Sequence, residues 1–449
     1  MNGNAVRSGF NAGDLAHRID QGLAMMRAGA PHQRAIDVEK YEAANNDILS
    51  DIMVQPISRR DTLKRGLAAI SLLAMTPDWA ISAPADGETD IPFTDYPANF
   101  NANPPNANPN ATVNRRLDIR RIDGHTTPND EFFFIQHYNR PEVDAAAWRL
   151  KLTGLVNKPQ EFRLDELKAM KPVDLVNGYE CSGNSARAFE GLSSCGKFTG
   201  IPLSQLLKHV GVGPTAREVV FFGTDRGKEE VVFRQQKFNL EQQFARSITL
   251  ENAMKPDPLL AWSLNGQPLD RDHGFPLRLI MPGWYGVANV KWVSEIHLQE
   301  ERFLGNFQAR WYRTLRAVGG TGEDADPNTQ FVENEVTRMR IKSAISRVRK
   351  TAAGYQVFGF VLNDGTPLKS VEVSIDGGPW QAAAMDKGNT KYSWKLFSYD
   401  WKDAKPGAHT LVSRATDANG VTQPTADDLK RKKTFLEDDA QFPRKITIA

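Results

Sequence analysis

A cysteine stands where the sequence predicts that a strand ends and a turn begins. In the run Val176-Asn-Gly-Tyr-Glu-Cys-Ser-Gly-Asn184, Cys181 comes directly before a Gly-Asn turn. A side chain at such a position leaves the core and can meet a ligand. A thiolate can act as a nucleophile or bind a soft metal, whereas a thiol in the core acts as a small hydrophobic group. The run by itself leaves both interpretations open.

A second dense segment runs from Asn265 to Gly283 and reads NGQPLDRDHGFPLRLIMPG. Its glycines and prolines predict a tightly turned loop that enters a buried strand. His273 and Arg278 would then meet an anion or a polar heterocycle, and Lys291 adds a cation beside Trp292. An ordinary charged loop is the alternative.

The elements that must position these residues are of mixed α and β type. Patterns of apolar residues predict strands over 218–222 and 277–281 and helices over 164–170 and 203–210. After about residue 331 the pattern becomes all-β. Strands are expected over 355–362, 371–375, 392–397 and 410–415, with hairpin turns at Asp376-Gly377-Gly378 and Asn419-Gly420. The fold class is therefore α+β, followed by an immunoglobulin-like sandwich.

Composition limits the possible partners. The 449 residues carry 56 Lys and Arg against 54 Asp and Glu, a net charge of +2, which offers no footprint for nucleic acid. Apolar residues make up 40% and charged residues 24%, as in soluble multidomain proteins. The second cysteine, Cys195, forms with Cys181 no CxxC, no zinc set and no CxxCH haem motif.

The first 115 residues resemble export and linker segments. Arg59-Arg60 precede an apolar run from Gly66 to Met75, and this order resembles a twin-arginine signal over 58–85. The run is roughly half of what a membrane span needs, so we expect no span. The resemblance to a twin-arginine signal implies a periplasmic location. Residues 1–57 form an extension of unknown role, and the Asn/Pro-rich residues 86–115 form an extended arm. The α+β domain would cover 116–330 and the sandwich 331–449.

The two dense segments together resemble the sulfite oxidase family of molybdopterin enzymes. The match rests on YECSGN at 179–184, RDHGFPLR at 271–278 and VKW at 290–292, and it spans about residues 120 to 425. The resemblance implies that Cys181 is the thiolate ligand of molybdenum and that Tyr312 lies beside the substrate oxygen. It also implies that the molybdopterin contacts are His137, Asp225, Ser247, His273, Arg278 and Lys291.

The chain departs from the family pattern in residues that bind the substrate. Ile135 and Gln136 precede His137 where an Arg-Asn pair is expected, and Ala186 replaces an arginine for which Arg187 would compensate as a catalytic residue. The run from Gly191 to Leu203, with Cys195 as a structural residue, resembles the bacterial sulfane dehydrogenase branch.

The resemblance implies oxidation of a sulfur compound, either sulfite or protein-bound sulfane sulfur derived from thiosulfate. Electrons would pass to an external c-type cytochrome, because the chain has no haem motif of its own. The partners would be a small sulfur anion or a sulfur carrier protein, within a homodimer or a heteromer with a cytochrome subunit. Two alternatives stay open: a molybdenum-dependent reductase of a sulfoxide or other oxo-acceptor, and a catalytically silent binding subunit.

Overall fold

The structure is a computed structural model and describes residues 87–97, 99–103, 114–323 and 325–449. The predicted extension (1–57) and twin-arginine signal (58–85) lie outside these residues. Within the part of the chain that is described, no helix is both long and apolar enough to cross a membrane.

The helices are short, and the two predicted ones are confirmed. In α1, the Arg163 backbone N–H donates to the Glu166 carboxylate at 2.7 Å and so fixes the first turn. In α2, apolar residues recur at three- and four-residue spacing on the buried face, and the helix ends at Gly211, whose φ is +72°. The α-helices are α1 (Leu164–Ala169), α2 (Leu203–Val210), α3 (Leu250–Ala253) and α4 (Asn306–Ala309).

Strands are the main regular elements among the described residues before residue 336. They are β1 (Thr89–Asp90), β2 (Leu150–Gly154), β3 (Gln160–Phe162), β4 (Val173–Glu180), β5 (Ser193–Pro202), β6 (Glu218–Phe233), β7 (Gln236–Thr249), β8 (Leu259–Leu264), β9 (Gln267–Pro268), β10 (Arg278–Ile280), β11 (Val293–Gln299), β12 (Arg313–Val318) and β13 (Gln330–Glu335). The strand predicted over 218–222 is the first part of the long β6, and the one predicted over 277–281 is β10.

Two sheets position the dense segments of the sequence. The cysteine sheet has the strand order β10-β8-β5-β4, with all pairs antiparallel, and Cys181 follows directly on its edge strand β4. The second sheet has the order β3-β2-β11-β6-β7, in which only β2 and β11 run parallel. The pairing of β6 with β7 shifts between Phe222 and Arg226, and Asp225 lies in this irregularity, where a side chain can be redirected.

The predicted sandwich is confirmed. Its strands are β14 (Lys342–Thr351), β15 (Gly354–Leu362), β16 (Leu368–Ile375), β17 (Gln381–Ala382), β18 (Ala384–Met385), β19 (Lys395–Trp401), β20 (Gly407–Asp417) and β21 (Arg444–Ile448). One sheet has the order β1-β14-β15-β19-β18 and the other β17-β16-β20-β21. Asp376 and Gly377 both have positive φ, 53° and 71°, as the predicted hairpin turn requires.

Three boundaries differ from the sequence prediction. The strand expected over 392–397 begins only at Lys395, because residues 392–394 lie against β4 instead. Strand β13 pairs with β12, so the hairpin crosses the predicted domain boundary at residue 330, and the sandwich begins with β14. Part of the expected arm, Thr89–Asp90, joins the sandwich by pairing with β14.

Candidate functional site

A cleft beside the end of β4 collects most of the residues singled out by the sequence. It encloses about 610 Å³ of empty space, counted to its open mouth. Seven of the predicted site residues line it: His137, Cys181, Asp225, His273, Arg278, Lys291 and Tyr312. These residues come from both sheets and from the loops between their strands, so only the tertiary fold brings them together.

Cys181 is held by backbone contacts on both sides. Its N–H donates to the Leu192 carbonyl at 2.9 Å, and its own carbonyl accepts from the Asn184 N–H at 2.9 Å. The Gly183 N–H points at the sulfur at 3.4 Å. Burial raises the pKa of the Cys181 thiol to about 11, so the thiolate forms readily only if a cation binds to it. Such a residue fits a metal ligand better than a free nucleophile.

Cationic groups form another part of the cleft. The Arg278 guanidinium is 3% exposed and donates to the carbonyls of His273 at 3.0 Å and Asn289 at 3.3 Å. Its Nε is buried without a hydrogen-bond partner among the described residues. Lys291 Nζ donates to the carbonyls of Ile135 at 3.0 Å and Asp272 at 2.8 Å. The cleft thus offers positive charge to an anionic ligand.

Asp225 faces the same cleft and opposes this charge. Burial raises the pKa of Asp225 and lowers that of Lys291, while the attraction between them works against both shifts. Oδ1 of Asp225 is buried and has no hydrogen-bond partner among the described residues. A buried acceptor of this kind calls for a donor from a ligand or from water.

His273 is oriented by a carboxylate three residues before it. Nδ1 of His273 lies 2.8 and 2.9 Å from the two oxygens of Asp270, and the backbone N–H of His273 donates to the same carboxylate. Burial would raise the pKa of Asp270, but the hydrogen bonds and the charge of His273 lower it to about 2. Asp270 therefore fixes the imidazole ring and stays ionised.

His137 and Tyr312 form a polar pair within an aromatic wall. Nε2 of His137 lies 2.5 Å from the Tyr312 hydroxyl, and the rings of Phe244 and Phe307 pack against the imidazole at 4.8 and 4.7 Å between centroids. Burial, together with the charges of Lys291 and Arg246, lowers the pKa of His137 to about 3. Burial also raises the pKa of Tyr312 well above its usual value. At neutral pH the hydrogen bond therefore joins a protonated tyrosine hydroxyl to a neutral imidazole.

Two predicted site residues are not part of the lining. Ser247 is 1% exposed on β7, where its hydroxyl donates to Glu218 and its N–H donates to Gln308 at 3.2 Å. Arg187 is exposed in the 3-10 turn Ala186–Ala188 and lines a larger cleft nearby, which shares Ile135 with the first. The structure therefore brings neither residue into the cleft of Cys181.

Sequence reasoning missed two groups of residues. The first is the apolar wall, which includes Phe133, Phe134 and Phe244, and nothing in the local sequence marks these as cleft residues. The second is Asp270, whose spacing of three residues from His273 was a usable signal. Cys195, expected to be structural, is fully buried on β5, and burial raises the pKa of its thiol to about 12.

The chain resembles known proteins in sequence. Residues 137–307 match the family model described as "Oxidoreductase molybdopterin binding domain". The chain is 25% identical to the sulfite oxidase of Arabidopsis thaliana over 374 residues, which are 73% of this chain and 91% of the plant protein. It is 28% identical to the human mitochondrial sulfite oxidase, covering 75% of this chain but only 64%, less than two thirds, of the human protein.

Two further similarities extend this picture. A nitrate reductase [NADH] of Ulva prolifera is 30% identical over 366 residues, which are 72% of this chain and 40% of the algal protein. Among solved structures, the sulfane dehydrogenase SoxCD from Paracoccus pantotrophus matches with a TM-score of 0.64 at 21% identity. That match covers 84% of this chain and 99% of the other, and it establishes a shared fold.

Proposed function

We propose that this chain, which belongs to the sulfite oxidase family of molybdopterin oxidoreductases, oxidises a sulfur compound at the level of sulfite or sulfane sulfur. One observation carries the proposal: Cys181 lines one cleft with His273, Arg278 and Lys291, which come from a segment more than 90 positions later in the sequence. The similarity to sulfite oxidases and to a sulfane dehydrogenase supports the choice of sulfur as the reacting element.

The residues of the cleft fit a phosphorylated pterin that carries a soft metal. Cys181 would supply the thiolate to molybdenum. The unpartnered Nε of Arg278 and the ammonium of Lys291 suit the phosphate, and the unpartnered Oδ1 of Asp225 suits an N–H of the pterin ring. When bound, this group supplies the two-electron exchange with the substrate.

The chain itself would position the substrate, exclude water from the cleft and keep a proton on the Tyr312 hydroxyl. The aromatic wall of Phe133, Phe134 and Phe244 keeps bulk water from the interior of the cleft. Tyr312 keeps its proton at neutral pH and can orient a polar substrate atom through its hydroxyl, while the hydrogen bond to His137 holds the hydroxyl oxygen in place. Arg187, at the neighbouring larger cleft, would attract an anionic substrate.

We further propose the surroundings in which this reaction takes place. The resemblance to a twin-arginine signal supports export in the folded state to the periplasm. The absence of a CxxCH motif from the sequence supports an external electron acceptor, for which a c-type cytochrome is our proposal. The sulfur would arrive as a small anion or on a carrier protein, and the sandwich would join two copies or a cytochrome subunit.

A reductase is the second candidate, and one comparison favours it. The chain is as similar to nitrate reductases as to sulfite oxidases. The lack of an arginine at positions 135 and 186 also leaves the identity of the oxo-anion open. The same cleft would then reduce nitrate, a sulfoxide or another oxo-acceptor.

Metal analysis with assays in both directions tests the proposal. The chain matured in a host that makes the pterin cofactor should hold about one molybdenum per molecule, and it should reduce cytochrome c with sulfite or thiosulfate. Dye-coupled assays with nitrate and methionine sulfoxide measure the reverse direction. Activity in reduction alone would favour the second candidate, and a chain without molybdenum would be a binding subunit.

The Cys181→Ser variant gives the first specific prediction. We expect it to fold and to retain pterin but to lose turnover by a factor of about a thousand or more, because serine is a poor ligand for a soft metal. Cys195→Ser is the matched control and should keep its turnover, since Cys195 is buried in the core away from the cleft. Turnover that survives in Cys181→Ser would rule out the assigned ligand.

A further inference from the structure

A buried ionic cluster joins the cysteine loop, residues 180–184, to the first residue of the sandwich. Nζ of Lys342, at the start of β14, lies 2.6 Å from the Glu190 carboxylate and 3.2 Å from the Glu180 carboxylate. It also donates to the Asn184 carbonyl at 3.3 Å. Lys342 is 4% exposed, and Glu180, Asn184 and Glu190 are each 2% exposed.

Residues of this cluster lie on both sides of Cys181 in the sequence. Glu180 immediately precedes the cysteine, and Asn184 closes the turn that follows it. The Asn184 side-chain amide donates to the Glu180 carboxylate at 2.9 Å and to the Glu190 carboxylate at 3.2 Å, so both ends of the loop share one set of partners. A single ammonium group from the sandwich thus contacts the loop on both sides of the sulfur.

The positive charge of Lys342 compensates the two buried carboxylates of the cluster. Two carboxylates are buried together, and a buried charge is stable only when it is paired and hydrogen-bonded. Among the described residues, Lys342 is the cation whose ion pairs reach both Glu180 and Glu190. Removing one partner of a buried pair leaves uncompensated charge and is far more damaging than losing a surface ion pair.

A second contact from the same C-terminal part reinforces this arrangement. The Glu437 N–H donates to the Ser182 carbonyl at 2.6 Å, inside the cysteine loop. The Glu437 carboxylate in turn accepts from Arg316 at 2.8 Å and Thr314 at 3.2 Å, both on β12. The loop is therefore held by residues more than 130 positions away in the sequence.

We infer that Lys342 is a positioning residue for Cys181: it ties the cysteine loop to the sandwich and so sets the direction of the sulfur. The inference rests on the proposed function, in which Cys181 binds molybdenum. It makes the sandwich part of the cofactor site, even though no strand of the sandwich lines the cleft among the described residues.

Lys342→Met tests the inference, with Lys395→Met as the matched control. Lys395 is also a buried sandwich lysine, at 8% exposure, but among the described residues its Nζ donates only to the carbonyls of Lys391 and Ser393. The loaded, full-length proteins are dialysed and their molybdenum content is measured. Lys342→Met should then hold no more than about one tenth of the molybdenum of wild type, and Lys395→Met should hold as much as wild type. Equal metal retention in the two variants would overturn the inference.

Thiol labelling provides a readout that does not depend on the cofactor. In the full chain produced without pterin, Cys181 of Lys342→Met should react with iodoacetamide on the order of tenfold faster than in wild type, measured on the labelled peptide by mass spectrometry. Lys395→Met should again match wild type. An unchanged labelling rate in Lys342→Met would show that the loop does not depend on the lysine.

A further variant separates positioning from loss of folding. Lys342→Met combined with Glu190→Gln removes one buried carboxylate along with the ammonium, so the excess charge is smaller. This double variant should fold, and its Cys181 should still react with iodoacetamide faster than in wild type. A labelling rate equal to that of wild type in the folded double variant would contradict the inference. If wild type binds no molybdenum while the labelling rates differ as expected, the proposed function fails and the positioning role stands.

Discussion

Tyr312 and His137 show how burial fixes a proton. In water a histidine exchanges its proton near neutral pH, but here its pKa falls to about 3 and that of the tyrosine rises. Both groups therefore keep the same protonation state across the physiological range, and the hydrogen bond between them persists. A substrate entering the cleft meets the oxygen of Tyr312 in a defined orientation.

Removing this hydroxyl should affect turnover and leave the cofactor in place. Tyr312→Phe should lower kcat by about a hundredfold, the usual range for a lost proton-handling or hydrogen-bonding group, with unchanged molybdenum content. Trp311→Phe is the control, because Trp311 is 59% exposed and does not line the cleft. Equal kcat values for Tyr312→Phe and wild type would remove Tyr312 from the reaction.

Asp270 offers a pH-dependent prediction. Its folded-state pKa of about 2 lies below the ordinary value of 3.8, so its carboxylate stabilises the fold above pH 4 and loses that effect as the pH falls towards 2. Asp270→Asn should therefore lower the free energy of unfolding by about 1 kcal/mol at pH 7, allowing for solvent screening of this half-exposed group. The difference in free energy of unfolding between Asp270→Asn and wild type should be smaller at pH 3 than at pH 7.

Urea denaturation at pH 7 and pH 3 measures this difference. Asp130→Asn serves as the control, because Asp130 is exposed and its side chain has no ion-pair partner among the described residues. If Asp270→Asn lowers the free energy of unfolding by the same amount at both pH values, the charge of the Asp270 carboxylate does not contribute to stability.

At the scale of elements, strand β4 is the support of the cysteine. On one side it pairs with β5 over its whole length, and on the other the Gly178 N–H donates to the Tyr392 carbonyl of the sandwich at 2.7 Å. The approach is close because Gly178 has no side chain: a Cβ there would lie 2.6 Å from the Trp394 nitrogen. The position of β4, and so of Cys181, depends on this contact.

Gly178→Ala should separate β4 from the sandwich segment. We expect a loss of about 1–3 kcal/mol in the free energy of unfolding, as for other overpacked sites, and a lower molybdenum content. Gly124→Ala is the control, since a Cβ at Gly124 would meet nothing within 4 Å. A stable Gly178→Ala variant with full molybdenum content would show that β4 can shift without moving Cys181.

At the scale of the molecule, the two parts share one interior. A single contiguous cluster of buried apolar residues extends from Phe93 to Ile448 and includes strands of both the cysteine sheet and the sandwich. Polar contacts cross between the parts as well, from His125 to Asp386 at 2.8 Å and from Tyr392 to Asp257 at 2.6 Å. Neither part has a separate core.

Unfolding should therefore be cooperative. We expect calorimetry of the cofactor-free chain to give one transition for residues 116–449, coincident with the loss of tryptophan fluorescence. Loading with the cofactor should raise the transition temperature, because a ligand that binds only the folded state stabilises it. Two separate transitions, with the cofactor shifting only one of them, would show that the parts unfold independently.

The sequence by itself indicated the chemistry and a minority of the elements. The motifs around Cys181 and His273 are local, and so are the apolar patterns of α1, α2, β10, β15, β16 and β20, because a period of two or of 3.6 residues is visible in a short stretch. The tight Asp376-Gly377 turn was readable because Asp-Gly is typical of two-residue hairpin turns. The family resemblance added the cofactor.

Only the tertiary structure decided which of these residues meet. Ser247 fits the family pattern and Arg187 would compensate for its missing arginine, but both lie outside the cleft, while Phe133, Phe244 and Asp270 belong to the site or support it. Lys342 lies 162 positions from Glu180, and no local pattern marks it as a partner. Contacts at such separations depend on how sheets pack and on which charges are buried together, and these are properties of the folded chain as a whole.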